Sequence, residues 1–292
     1  MKRTAWILII ALLLGMLGGC KHQTEQADIA ATTLPVYQFT CMLTQGTGLT
    51  VTRVITESVS CLHDYSLNTR QVKAVEAASI IVISGAGLED FMGSLLENRP
   101  TVDASAGVEL LESCHDHEGH EGHSHHHESD SHIWLSPALA MTMAKNICHG
   151  LQRQYPEHSA LLQQNLQQLL HQLQDLLDYG KTQLSQLTSR ELLTFHDGFS
   201  YFAHCFDLHV LAAVEEEAGA ETSAHQLIEL IGLVRSHQLP AIFTETNGSD
   251  ASARVIAAET GTGCYTLDMA MAGQDYFAAM YRNIDIIKEA LG

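Results

Sequence analysis

Seven short apolar runs, several containing β-branched residues, recur along the chain, and most are followed by a segment with helical character. Ile29–Thr33, Leu49–Ile55 and Ile80–Ile83 fall in the first third; Glu191–Phe195, Leu208–Val214, Ala241–Thr244 and Gly263–Leu267 fall in the last. The run Ile80-Ile81-Val82-Ile83 has no polar face, the pattern of a strand covered on both sides. Strands that alternate with helices predict parallel sheets with covering helices. Helices are expected after Pro35, from Asn68 or Thr69 to Ala78, around Leu88–Glu97, from Ser136-Pro137, from Thr222 or Ser223 to His237, from Ser249, and over Phe277–Leu291. Short polar side chains at these starts cap exposed backbone N–H groups, and proline suits the first turn.

Between the two groups of strands lies a different pattern. From Pro156 to about Leu187 the chain is mostly Leu, Gln and other polar residues, with Leu162, Leu166, Leu169, Leu173 and Leu176 at alternating spacings of four and three. That is one apolar stripe along a long helix, interrupted at Gly180. The expected fold is α/β: two parallel-sheet lobes joined by one long linking helix. The expected boundaries are a leader at 1–19, a linker at 20–28, an N-terminal lobe at 29–155, the linking helix at 156–188 and a C-terminal lobe at 189–292.

The first twenty residues read as an export signal. Lys2 and Arg3 precede an apolar stretch from Ala5 to Leu17, too short for a comfortable membrane span. Leu17-Gly18-Gly19-Cys20 resembles a bacterial lipobox, which implies cleavage before Cys20 and acylation of its sulfur. A lipid-anchored, extracytoplasmic protein at the cell membrane is expected, held by its acyl chains. Without Lys2 and Arg3, 13 basic residues face 34 acidic ones, a net of −21. A nucleic-acid partner is excluded on that charge, and attraction of cations fits it. Six further cysteines remain, at positions 41, 61, 114, 148, 205 and 264, with no CxxC pair. Disulfides and free thiols are both open, and Cys205 with Cys264 is the first pair to test.

Residues 115–132 read HDHEGHEGHSHHHESDSH: eight histidines, five acids and no basic residue. Imidazole and carboxylate are ligands for borderline divalent metals. With no apolar residue, the run builds no core, and a loop over 114–131 is expected. Its first seven histidines, His115, His117, His120, His123, His125, His126 and His127, form a candidate auxiliary loop for weakly held metal. Outside it, His63, His196 and Asp268 sit in loops or at strand exits, as does His132 at the end of the run. Ligands of open parallel sheets bind beyond the carboxyl ends of strands. Three imidazoles and a carboxylate suit tetrahedral Zn²⁺, with Zn–N of about 2.0–2.1 Å. Spacing alone does not select these four, since lone histidines are more often surface or core residues.

A resemblance selects them. PVYQF at 35–39, LHDYSLNTRQVKAVEAASIIVISGAGLEDFM at 62–92, SHIWLSP at 131–137, FHDGFSYFA at 195–203, IFTETNGSDASARVIAAETG at 242–261 and YTLDMAMAGQDYFAAMYRNIDIIKEAL at 265–291 occur in order. Together they resemble the metal-specific, ZnuA-like solute-binding proteins of bacterial ABC importers. The resemblance implies two α/β lobes joined by a rigid helix, metal in the cleft between them, and His63, His132, His196 and Asp268 as ligands. It implies an ABC permease and its ATPase as partners, and a monomer. Manganese members usually carry Glu where this chain has His196, so zinc is favoured over Mn²⁺. Met269 stands where Pro is usual after the aspartate. Glu245 is a candidate orienting residue or alternative ligand, and Asp64 and Asp197 are candidates to orient the imidazoles.

Two rival functions differ in class. A zinc hydrolase would need HExxH or an open metal position with a general base, and neither His117-Glu118-Gly119-His120-Glu121 nor His127-Glu128-Ser129-Asp130-Ser131 has that spacing. An enzyme is therefore not expected. A cell-adhesion role on the same fold is the interaction-class alternative.

Overall fold

The computed structural model describes residues 27–57, 62, 65–111, 129–214 and 222–292. Cys20, His63 and Asp64 lie outside the described residues, as do the seven histidines of the auxiliary loop.

The first lobe is a parallel sheet of β1 (Ile29–Ala31), β2 (Val51–Arg53), β3 (Ile80–Ile83) and β4 (Thr101–Asp103), in the order β2-β1-β3-β4. Its helices are α1 (Leu34–Leu43), α2 (Thr69–Ala77) and the single turn α3 (Gly93–Leu96). The second sheet repeats that order: β5 (Glu191–Thr194), β6 (His209–Ala213), β7 (Ala241–Glu245) and β8 (Gly263–Leu267) run parallel as β6-β5-β7-β8. With it come α6 (Ser200–Cys205), α7 (Ala224–His237) and α8 (Ala251–Thr260). Between the lobes lie α4 (Pro137–Gln154) and the 25-residue α5 (Ser159–Gln183); α9 (Tyr276–Leu291) closes the chain.

Local chemistry sets the helix starts. Asn68 accepts from the backbone of Arg70 and Gln71, and the Gln71 side chain answers with the Asn68 N–H, a capping box. Ser223 and Gln226 do the same for α7, and Ser136 with Pro137 opens α4. The α5 stripe buries Leu162, Leu166, Leu169, Leu173 and Leu176 as its spacing predicts. On α5 pack α4, α1 and α9 along its leucine stripe, while its opposite face, with Gln163, Gln167 and His171, is exposed. One apolar core runs from the first sheet through α5 to α9, and a smaller one lies under α7 and α8.

Several expectations are corrected. Leu88–Glu97 is a 3-10 turn at Asp90–Met92 and one helical turn; over Asp90–Leu96 Met92 alone is buried, so no apolar stripe extends the helix. The strand β4 was not expected: three residues with only Val102 buried are too short for a periodic signal. Ser249 does not cap α8; Asp250 occupies that position without a side-chain cap, and Ser249 Oγ accepts only from Ala251 N. Gly180 does not interrupt α5. A Cβ there would lie 2.3 Å from Phe206 Cε1 and 3.1 Å from Ile284 Cδ1, so glycine is the residue that admits close packing. Cys205 and Cys264 are both free thiols. Cys205 ends α6, which packs on β6, while Cys264 lies on β8 at the opposite sheet edge. Three strand spacings of about 4.8 Å put that pair beyond disulfide reach.

Residues 269–275 form a strap from the second half onto the first. Met269 O accepts from Trp134 Nε1 at 2.8 Å, Met271 O from Leu34 N at 3.3 Å, and Gly273 O from Arg53 at 2.8 Å. Gln38 Nε2 donates to Asp275 at 3.2 Å. No helix among the described residues is long and apolar enough to cross a membrane.

Candidate metal centre

In the order β6-β5-β7 the connections leave β5 in opposite directions, so the carboxyl ends of β5 and β7 form a topological switch point. His196 stands two residues beyond β5, Glu245 ends β7, and Asp268 follows β8. His132 comes from the first half, at the turn that enters α4.

The fold brings His132 and His196 together. Their Nε2 atoms are 3.4 Å apart, and the rings meet edge to face with centroids at 5.1 Å. His132 is buried and His196 half-buried. Gly198 is what lets the rings approach: a Cβ there would lie 2.9 Å from His196 Cδ2, 3.2 Å from His132 Cε1 and 2.4 Å from Met269 Cε. The Met269 side chain, buried, packs against Gly198 on the same side as the two rings.

Asp130 holds the His132 ring. Its Oδ1 accepts from the backbone N–H of His132 and lies 2.8 Å from ring Nδ1. An oxygen that accepts from an amide is an acceptor at that point, so Nδ1 carries the proton and Nε2 offers its lone pair to His196. Trp134 packs on the same ring, with centroids 5.2 Å apart.

Asp268 is held through its backbone. Asn283, fully buried on α9, accepts from Asp268 N at 2.8 Å and donates to Asp268 O at 2.7 Å. Asp268 Oδ1 accepts from Ala270 N, and none of its hydrogen bonds goes to His132 or His196. Among the described residues no three His, Cys, Asp or Glu side chains form a group able to hold a metal ion. Among the described members of the four-residue set, His132 and His196 are the pair in contact.

Glu245 is buried, and burial pushes its carboxyl up to about 7. Its Oε2 has no hydrogen-bond partner, and Gly248 lies against the side chain.

Sequence reasoning missed Asp130, Gly198 and Asn283. The signal for Asp130 was present as an Asp-x-His pair, the spacing at which a carboxylate accepts from the amide two residues on. It was hidden among the acids of the histidine run. Asn283 carried no local signal, because its contact spans 15 residues.

Comparison with known proteins agrees with the fold of two parallel-sheet lobes. The family model described as "ZnuA: Zinc-uptake complex component A periplasmic" matches residues 29–290. The zinc-binding lipoprotein AdcA of Streptococcus pneumoniae is 28% identical over 97% of this chain, which spans 60% of that relative's length. A crystal structure of ZnuA superposes with a TM-score of 0.78 at 28% identity, covering 91% of this chain and 100% of that one. The Zn(II)-bound ZnuA-like domain of S. pneumoniae AdcA gives 0.76 at 26%, covering 91% and 98%.

Proposed function

The chain belongs to the family of the periplasmic component A of zinc-uptake complexes, and from that membership we propose that it captures Zn²⁺ outside the cytoplasm and delivers it to an ABC permease for import. Zinc is cargo here, not a resident cofactor, and the protein is a carrier rather than an enzyme. The proposed ligands are His63, His132, His196 and Asp268. Acylation of Cys20 would keep the carrier at the membrane that holds the permease and its ATPase.

One observation carries the proposal: the 3.4 Å between His132 Nε2 and His196 Nε2. Four ligands around Zn²⁺ at about 2.0–2.1 Å define a tetrahedron whose edge is about 3.3–3.4 Å. The two imidazoles are thus spaced as two corners of a zinc site. Asp130 keeps one lone pair turned inward, so the site asks little reorientation of that ring. A nitrogen donor at position 196, where Mn²⁺ would favour oxygen, supports zinc. Names of the relatives support the same cargo, since AdcA is a zinc-binding lipoprotein and its ZnuA-like domain binds Zn(II).

Metal analysis with a chelator competition titration tests the assignment. One tightly held zinc per chain is expected, weakened by alanine at His63, His132, His196 or Asp268. Tight zinc in all four variants overturns the site. Removal of residues 114–129 should leave that tight zinc and abolish weaker binding; unchanged stoichiometry at high zinc would refute a collecting role for the histidine loop.

A further inference from the structure

Asp130 and Tyr201 occupy no place in the ligand set, yet they lie against it from opposite halves of the chain. The Asp130 side chain is fully buried, and His132 is the side chain it meets. Its Oδ2 is also buried and has no hydrogen-bond partner among the described residues. A carboxylate is costly to bury unless its charge is used nearby. Here both contacts of Oδ1, at 2.8 Å each, go to one residue: the backbone amide and the ring Nδ1 of His132. The first fixes where the residue sits, and the second fixes how the ring is rotated and which nitrogen holds the proton.

Asp130 is itself fixed from across the molecule. Tyr201, on α6 of the second lobe, donates its hydroxyl to Asp130 O at 3.0 Å and accepts from Leu111 N at 2.9 Å. Asp130 N in turn donates to Leu111 O at 3.0 Å. One phenol therefore clasps both strands of backbone that flank residues 112–128. The phenol sits on the short helix that follows His196 and Gly198 in the chain.

We propose that Asp130 is a positioning residue for zinc capture, setting the His132 imidazole with Nε2 bare and aimed at His196, and that Tyr201 anchors Asp130 across the two lobes. The inference rests on His132 being a zinc ligand, as proposed above. Outer carboxylates of this kind raise the basicity of the ligating nitrogen and remove the entropy of ring rotation. The expected effect is a zinc affinity lowered about 10–100-fold when the carboxylate is lost.

The test uses the full chain with zinc chloride competed by a chromophoric chelator, alongside ¹⁵N NMR of the histidine rings in zinc-free protein. Asp130→Ala is expected to weaken zinc strongly and to shift His132 from a single Nδ1–H tautomer to a mixture. Asp130→Asn keeps the shape and an acceptor oxygen without the charge. It should retain the tautomer better, weaken zinc less, and remain folded if the alanine variant is not. Tyr201→Phe should weaken zinc in the same direction by a smaller factor. A purely structural aspartate would change stability without moving the tautomer. If His132→Ala loses tight zinc while both Asp130 variants bind within twofold of wild type with the ring tautomer unchanged, the positioning role is overturned and the site stands. If His132→Ala keeps tight zinc, site and positioning role fall together.

Discussion

Gly198 and Glu89 show how much a single position decides. A Cβ at Gly198 would meet three side chains of the site, two of them the facing imidazoles. Overpacking of that kind costs about 1–3 kcal/mol, and here the strain falls on the ligand spacing. Gly198→Ala is expected to lower zinc affinity at least tenfold in competition titration, more than it lowers stability. Glu89 occupies the matching switch point of the first sheet. It accepts from Thr32 Oγ1, Ser84 N and Gly85 N, and burial, outweighing those bonds, pushes its carboxyl up to about 7. In the unfolded chain the group titrates near 4.5, so between 4.5 and 7 the folded state binds the extra proton. Its contribution is then fully present below about 4.5 and lost as pH rises through 7, a change of roughly 3 kcal/mol. Urea unfolding of zinc-free wild type and Glu89→Gln should show this as a difference that shifts in favour of the variant across that window. A constant difference would refute it. The buried carboxylate of Glu89 was not legible in the sequence, because its burial depends on β1 and β3 coming together.

At the scale of elements, caps and apolar stripes were legible, and contacts made far along the chain were not. Asn68, Ser136 and Ser223 announced their helices, since a cap is a matter of three or four neighbouring residues. Gly180 misled because its meaning lies 26 residues on, at Phe206, and further still at Ile284. Alanine there would gain about 1 kcal/mol of helix propensity but lose about 1–3 kcal/mol to overpacking. Gly180→Ala is therefore expected to lower the urea midpoint; a rise would mean that Phe206 yields freely. Arg190 is a second long-range tie. Its guanidinium donates to the carbonyls of Leu184 and Ser185 beyond α5 and of Phe206 and Asp207 beyond α6. Arg190→Ala leaves these ends without their donor and should cost about 1–3 kcal/mol in denaturant unfolding. Lysine should restore little, because one ammonium cannot span two helix ends.

For the whole molecule, the alternation of strands and helices foretold two parallel sheets, while the shared order 2-1-3-4 followed only from their pairing. Of the ligand set, the structure joins His132 to His196 across the lobes. Binding that draws on both halves should stabilise the whole: zinc at 100 times its dissociation constant adds about 2.7 kcal/mol. For a chain of this length that is a rise of about 4–5 °C in thermal unfolding. It should be reversed by chelator and absent in His196→Ala; a zinc-dependent rise in that variant would place the metal elsewhere. The 25-residue α5 lends the site a further property. It is a rod of about 37 Å, and one degree of tilt at one end moves the other by about 0.6 Å. That is nearly a third of a Zn–N bond of about 2.0–2.1 Å. The spacing of the two imidazoles is thus a matter of stiffness as much as of chemistry, and the rod and the 269–275 strap are what supply it.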